Sequence, residues 1–293
     1  MSISAQDRER ISSAIHAAEE KTSGEIVCVL ARSSVTATAL PVFLAAVAAL
    51  VLPWLLVGLT AAGIVLIGIA FRRLTPPGTL SAARGYPTAV LLRGVLTLSF
   101  FAVDAYVALL LVEVRGWSAA QAGIALTAAT ISWTGGSWIQ ARLSTRYPPE
   151  RFVRVGFPIV AIGIAGLGVI LLPGVPAVLA VPIFAFCGLG MGLTYAQFAL
   201  IVLRDAPSAI QGTVTAGLTL SDVIGTTLGT GIAAAAVSTA VRQGQGPGPG
   251  IGIAIAVGTV VALIGFLLSP RLHVRAVPAT ARVPEAGSTG GLG

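Results

Sequence analysis

Long apolar runs alternate with short polar connections along most of this chain. After a polar first stretch, one run covers 39–71, and six more follow at about 88–112, 119–140, 155–172, 177–203, 213–240 and 251–269. A helix needs about 20 apolar residues to cross a hydrocarbon core about 30 Å thick, so each of the six later runs is long enough to span a membrane. The pattern predicts an all-α polytopic membrane protein with a bundle of six transmembrane helices and further hydrophobic sequence before it.

The run at 39–71 is too long for one straight span, since at 1.5 Å per residue it would extend about 50 Å. Pro53 lies inside it. One helix over roughly 50–71, preceded by a bent interfacial piece, gives seven spans and places the N-terminus outside. A division at Pro53 gives eight spans. We favour seven, because the two pieces of a divided run are both short for a crossing.

Composition excludes most other classes of protein. Hydrophobic residues make up 55% of the 293 residues and charged residues 10%, and the mean hydropathy is +0.92. Soluble domains carry about 25% charged residues, so a soluble enzyme is not expected. The two histidines lie near the chain ends and the two cysteines are far apart, which leaves no basis for a metal site, a catalytic histidine cluster or a disulfide framework. The only lysine, Lys21, lies in no phosphate-binding loop, so ATP-driven transport is excluded and no cofactor is predicted.

The net charge of +7 comes largely from arginines in the connections between apolar runs. Basic connections favour the cytoplasmic side of a membrane, and this explains the charge better than nucleic-acid binding does. The connections 72–87 and 141–154 and the C-terminus are therefore predicted to be cytoplasmic, in a multi-pass protein of the cell membrane.

The polar N-terminal extension, 1–37, differs from everything after it. A helix is predicted over about 5–21 and a short buried strand over 25–31. The sequence RERISSAIHAAEEKTSGEIVCVLARSS, within about 5–34, resembles the start of TPM-type domains of bacterial membrane-associated proteins. The predicted organisation is then this extension, a hydrophobic segment at 38–72 with one or two spans, the six-span unit at 73–272, and a disordered tail at 273–293.

Four stretches of the six-span unit carry a second resemblance. They are RRLTPPGTL (72–80), TAATISWTGGSWIQARLSTRYPPERFVRVG (127–156), GLGMGLTYAQ (188–197) and LSDVIGTTLGTG (220–231). Together they resemble the C-terminal half of a major facilitator superfamily transporter of the actinobacterial drug-efflux kind. The resemblance implies proton-coupled efflux of small hydrophobic or cationic solutes, from a site between two six-span halves. One half is recognisable here, so we expect a chain that is incomplete by itself and that pairs with a second copy or a complementary half.

Asp104 and Asp222 are the acidic residues inside the predicted spans. A carboxylate facing lipid costs about 2.5–3.5 kcal/mol on insertion scales, so both are expected to face the bundle interior or water. Each is either a carboxylate that couples transport to protons or cations, or a structural acceptor for a Ser, Thr or Tyr on a neighbouring helix. Arg93 lies close to the cytoplasmic interface, and we expect it to extend its charge into the interface rather than to bind substrate.

Other residues are candidates on weaker grounds. Several large or polar side chains either line a solute cavity or simply pack: Tyr106, Trp133 and Gln197, with Trp138, Gln140 and Tyr195. The superfamily's loop signature, which helps to latch the cytoplasmic gate, is matched by Gly136, Arg142, Arg146 and Arg151, with Glu150 as the acidic residue beside them. The small-residue pairs Gly225–Gly229 and Gly188–Gly190–Gly192 indicate close helix packing. Two other functions remain open, a membrane module without transport activity and a TPM-type membrane protein.

Overall fold

The computed structural model describes residues 62–63 and 65–273, and within them it contains helices and turns but no strand. Contacts divide the chain after Gly68, and the helices below belong to the unit that starts at Ile69. They are α1 (Tyr86–Leu109), α2 (Ala119–Leu143), α3 (Pro149–Val169), α4 (Ala180–Thr194), α5 (Gln197–Asp205), α6 (Gln211–Arg242) and α7 (Gly248–Leu268). Residues 65–74 are also helical.

Short helical turns extend several of these helices. A π-helical turn, Leu110–Val114, continues α1, and 3-10 turns at Ala177–Leu179, Ser208–Ile210 and Ser269–Leu272 adjoin α4, α6 and α7. With these extensions, five helices in the described part of the chain are long and apolar enough to cross a membrane: Tyr86–Val114, Pro149–Val169, Ala177–Asp205, Ser208–Arg242 and Gly248–Leu272. The prediction of an all-α polytopic membrane protein is confirmed.

The remaining predicted span, 119–140, corresponds to α2, which is long enough to cross but less apolar than the five helices above. A capping box starts it, in which the Ser118 side chain accepts from the Gln121 amide and the Gln121 side chain accepts from the Ser118 amide. Its assignment as a span stays a prediction.

Glycines bring α1 and α6 into contact. A Cβ added at Gly225 would lie 2.2 Å from the carbonyl oxygen of Gly94, and one at Gly229 would lie 2.4 Å from that of Leu98. No side chain fits at those distances, so the two backbones approach as closely as only glycine permits. The predicted packing role of the Gly225–Gly229 pair is confirmed.

A second glycine contact joins α2 to α4. A Cβ at Gly188 would lie 2.2 Å from the Ala129 carbonyl oxygen, and one at Gly192 would lie 2.1 Å from that of Trp133. Gly190 faces α3 instead, where its Cβ would meet Val160. The glycine repeat of α4 therefore serves two neighbouring helices, and its predicted packing role is also confirmed.

Helices α3 and α7 lie between these two pairs and pack against each other. The Phe157 ring of α3 covers Gly265 of α7, where an added Cβ would lie 2.2 Å from the ring. Phe157, Phe184 and Phe198 are among the largest fully buried side chains, so the core runs through the centre of the bundle.

The structure corrects the extent of the connection predicted at 141–154. Helix α2 continues to Leu143 and α3 begins at Pro149, so the connection is only 144–148. Pro149 starts the helix readily because a first-turn residue needs no intrahelical amide hydrogen bond. The predictions for the N-terminal helix and strand, for most of 39–71 and for the tail after 273 lie outside the described residues.

Candidate functional site

An ion pair joins α1 to α6 inside the bundle. The Nη2 atom of Arg93 donates to Oδ2 of Asp222 at 3.1 Å, and the two side chains are only 10% and 20% exposed. The backbones meet here because Gly94 and Gly225 lie on either side of the pair and pack directly against each other. The Thr97 hydroxyl reinforces the contact by donating to the backbone carbonyl of Asp222 at 3.1 Å.

The third member of the cluster is Tyr195, which lies at the interruption between α4 and α5. Its hydroxyl donates to the same Asp222 oxygen, Oδ2, at 2.8 Å. Its backbone carbonyl accepts from Nη1 of Arg93 at 2.5 Å, and the Arg93 guanidinium carbon lies 3.1 Å from the centre of its ring. Arg93 therefore satisfies a carbonyl next to the helix interruption and neutralises Asp222 at the same time.

Aromatic rings extend from this cluster toward α2 and along α1. The Trp133 ring meets the Tyr195 ring edge-on at 5.5 Å and the Phe100 ring at 5.7 Å. Phe100 also contacts Phe101 and stacks on Phe184. We call this set, Phe100, Phe101, Trp133, Phe184 and Tyr195, the aromatic wall.

The charged cluster is not fully hydrogen-bonded. Within the described residues, the buried atoms Oδ1 of Asp222 and Nε of Arg93 have no hydrogen-bond partner. Such atoms are costly in a low-dielectric interior, and they are also free to bind something else. Oδ1 of Asp222 is therefore an acceptor without a donor, whereas Oδ2 is held by both Arg93 and Tyr195.

The structure brings together some of the predicted site residues but not all of them. Trp133 contacts the ring of Tyr195, and the Tyr195 hydroxyl donates to Asp222. Asp104 lies eleven residues beyond Arg93 on α1, about 16 Å along the helix. It is partly buried, and none of the ion pairs in the described part of the chain involves it.

Tyr106 and Gln197 are placed in the packed interior. Tyr106 is partly buried against the core. Gln197 is 1% exposed, and its Nε2 has no hydrogen-bond partner among the described residues. It lies two residues after Tyr195, at the first position of α5.

The predicted loop signature is not assembled into one cluster. Gly136 lies inside α2, where a Cβ would be 2.6 Å from the Leu189 carbonyl oxygen, so it is a packing residue. Arg142 lies in the last turn of α2 over the Trp138 ring, and Arg151 lies on α3 with its guanidinium 5.5 Å from the Tyr147 ring centre. Arg146 is exposed in the connection between them.

Glu150, the acidic residue beside that signature, pairs with a different arginine. Its Oε1 accepts from Nη2 of Arg204 at 2.5 Å, and Arg204 also donates from Nε to Asp205 at 2.6 Å. Glu150 is 6% exposed although it lies at the start of α3. The pair therefore ties the start of α3 to the end of α5.

The structure overturns one interpretation of the sequence. Arg93 was expected to extend toward the interface, but its side chain is buried and turned inward toward Asp222. The available signal was the presence of a basic residue, Arg93, and two acidic residues within the predicted spans, each of which is costly alone. For Asp222, the structural alternative named a Ser, Thr or Tyr donor, and a tyrosine hydroxyl does donate to it, with the ion pair in addition.

Comparison with known proteins identifies the type of domain. A family model described as Major Facilitator Superfamily matches residues 28–230, which is more than half of the chain. No curated protein matches the sequence. The matched range includes Arg93, Asp222, Tyr195 and the aromatic wall.

Proposed function

This chain belongs to the major facilitator superfamily, and from that premise we propose that it exports small hydrophobic or cationic solutes in exchange for protons, with Asp222 as the coupling carboxylate. Members of the superfamily are membrane transporters rather than enzymes, and the five apolar helices fit that role. The efflux direction, the proton coupling and the solute class are the parts that we propose.

The observation that carries the proposal is the ion pair between Arg93 and Asp222. Ionisable residues within spans are costly, and they commonly mark proton or ion pathways. A purely structural pair would be expected to satisfy all of its polar atoms, but Oδ1 of Asp222 and Nε of Arg93 are both without partners in the described residues.

Protonation of Asp222 would change the balance of the cluster. A proton at Oδ1 makes the carboxyl neutral and removes its attraction to Arg93. The guanidinium then keeps the Tyr195 carbonyl as an acceptor but loses its counter-charge. Since Arg93 and Asp222 lie on different helices, the change weakens the polar contact between α1 and α6 and favours a rearrangement of these helices.

The aromatic wall supports the proposed solute class. Flat, polarisable rings beside a carboxylate suit hydrophobic cations, which gain from contact with ring faces and from the negative charge. Such a solute would compete with the proton and with Arg93 for Asp222, which is the requirement for exchange. The contact of Tyr195 with Asp222, and of Trp133 with Tyr195, favours this class over sugars or anions.

We also propose that the polar face of α6 lines a water-filled passage opposite a second six-span unit, either another copy of this chain or a complementary half. Thr215 and Thr219 are exposed on that face, and Asp222, Thr226 and Thr230 continue it at helical spacing. A stripe of this kind is suited to water or to another protein surface. In this arrangement the 144–148 connection and the C-terminus face the cytoplasm of the cell.

The test is transport by the purified chain in proteoliposomes. A pH gradient is imposed and uptake of a fluorescent hydrophobic cation is followed for the wild type and for Asp222→Asn, a neutral side chain of the same shape. The variant is expected to lose gradient-driven uptake while it still exchanges labelled for unlabelled dye, because exchange needs the passage but not the proton. Asp205→Asn is the matched control, since Asp205 lies at the end of α5 away from the cluster.

Two results would contradict the proposal. Gradient-driven uptake that is unchanged in Asp222→Asn removes Asp222 from the coupling step. An absence of uptake and exchange in the wild type, measured on a well-folded sample, favours a membrane module without transport activity. Light scattering on the same sample gives its oligomeric state, and uptake by a demonstrated monomer would contradict the need for a second unit.

A further inference from the structure

A basic cavity of about 430 Å³ lies at one end of the bundle, away from Asp222. Helices α1 and α3 begin at this end and α7 finishes there, so the cavity opens where the spans leave the apolar core. Its lining residues are Arg84, Pro148, Glu150, Arg151, Arg154, Ser269, Pro270 and His273.

Three arginines from two separate segments converge on this cavity. Arg84 lies just before α1, and Arg151 and Arg154 lie in the first turns of α3. Glu150 is the acidic residue of the lining, and its Oε1 is held by Arg204. Within the described residues, no ion pair involves any of the three arginines. Positive charges held together in this way attract an anion.

The cavity walls are fixed by hydrogen bonds between distant parts of the chain. The Gly85 amide donates to the Arg271 carbonyl at 2.9 Å, and Nη1 of Arg271 donates to the Ser81 carbonyl at 3.2 Å. These bonds hold the segment that carries Arg84 against the 3-10 turn Ser269–Leu272. The backbone position of Arg84 beside this turn is therefore fixed by the fold.

An apolar groove of about 330 Å³ adjoins the basic cavity. It is lined by Ile139, Leu143, Tyr147, Arg151, Phe152, Val155 and Leu193. Arg151 lines both spaces, with Arg154 on the basic side and Phe152 and Val155 on the apolar side. At 100° per residue, these positions follow one another around the first turns of α3, so the charged and apolar surfaces are neighbours.

From these observations we propose that the basic cavity binds the phosphate of an acidic phospholipid, and that the apolar groove beside it takes part of an acyl chain. The phosphate lies among Arg84, Arg151 and Arg154, which can donate paired hydrogen bonds to its oxygens. Basic pockets between transmembrane helices are suited to anionic headgroups. A free phosphate would satisfy the arginines equally well but would leave the groove without a ligand.

The test uses the full chain in nanodiscs of phosphatidylcholine with a small fraction of phosphatidylglycerol, and counts retained lipids by native mass spectrometry. The wild type is expected to retain one phosphatidylglycerol. The variant Arg151→Gln/Arg154→Gln is expected to bind it roughly thirtyfold more weakly, because two arginine contacts to an anionic headgroup are removed. Arg84→Gln, on the opposite wall, is expected to weaken binding by roughly fivefold.

The matched control is Arg142→Gln/Arg146→Gln, which removes two arginines from the adjoining sequence that do not line the cavity. Retention equal to the wild type in this control supports the site, and equal losses in both double variants would overturn it. Inorganic phosphate at millimolar concentration distinguishes the two sources of phosphate. Full displacement of the lipid by phosphate would overturn the phospholipid assignment, and continued retention supports it. The elution volume of each variant on size exclusion shows whether it is folded.

Discussion

Arg93 and Asp222, which are 129 positions apart, form an ion pair at 3.1 Å between α1 and α6. Each would be unfavourable alone at this depth, and together they form a neutral unit. Loss of one charge should therefore destabilise the bundle more than loss of both charges together.

Replacing only one member of the pair should destabilise the protein. Arg93→Leu leaves Asp222 as an unpaired, mostly buried charge, and we expect a loss of about 3–5 kcal/mol in the free energy of unfolding. The double variant Arg93→Leu/Asp222→Leu removes both charges and should recover most of that loss. The free energy of unfolding of the single and double variants is measured in detergent micelles, with circular dichroism as the probe. A double variant that is as unstable as the sum of the single variants would show that the two residues are independent.

Packing at the α1–α6 contact gives a second prediction, with a control on the same helix. Gly225→Ala places a Cβ 2.2 Å from the Gly94 carbonyl oxygen and should cost about 1–3 kcal/mol of stability, because the backbones must separate. Gly231→Ala meets nothing within 4 Å and should be neutral or stabilising by about 0.5–1 kcal/mol. Thermal unfolding of the two variants distinguishes packing from helix propensity, and similar effects at both sites would refute the packing explanation.

The two carboxylates within the spans should have separable effects on transport. Asp104 has no ion-pair partner in the described residues, so Asp104→Asn should weaken binding of a cationic dye by about fivefold and leave the response to a pH gradient intact. Asp222→Asn should abolish the response to the pH gradient and also weaken dye binding, because the dye and the proton compete for that carboxylate. Dye affinity and gradient dependence are measured on the same proteoliposomes. If Asp104→Asn also abolished the gradient response, the coupling would have to be shared between both residues.

The proposed orientation can be tested with a single cysteine. Arg146 is exposed in the connection between α2 and α3, and Arg146→Cys in a Cys28→Ser/Cys187→Ala background provides one accessible thiol. A membrane-impermeant maleimide should label it only after the cells are opened, since the basic connection is expected on the cytoplasmic side. If the maleimide labelled this cysteine in intact cells, the predicted orientation would be wrong and every span would have to run in the opposite direction.

The apolar pattern was sufficient to predict the helices, because the need to fill about 30 Å of hydrocarbon fixes both length and composition. The run predicted at 88–112 is the helix Tyr86–Val114, and the glycine pairs lie at the helix contacts that their spacing indicated. The connection at 141–154 was predicted too long because its arginines were taken as loop residues. Arg142 instead lies in the last turn of α2, where a positive charge is favourable, and Arg151 and Arg154 lie on α3.

The candidate site was less predictable. Asp222 was identified because a carboxylate in a span is rare, but its partner could not be read from a sequence in which Arg93 lies far away. The helix interruption at Tyr195 could not be predicted from the sequence, because Thr194–Gln197 contains no proline or glycine. Its most evident tertiary contact is the hydrogen bond that Arg93 donates to the Tyr195 carbonyl.

That interruption has a mechanical consequence. A continuous helix resists bending because its hydrogen bonds run through every turn, whereas α4 and α5 are connected at Tyr195–Ala196 by fewer of them. Arg93 hydrogen-bonds the Tyr195 carbonyl between the two segments and is also paired with a carboxylate on another helix. If Asp222 is the coupling carboxylate, as proposed above, the gain or loss of its proton would be converted into bending of a helix that does not carry it. Backbone hydrogen exchange at 195–198 should respond to pH more strongly than exchange in the middle of α3.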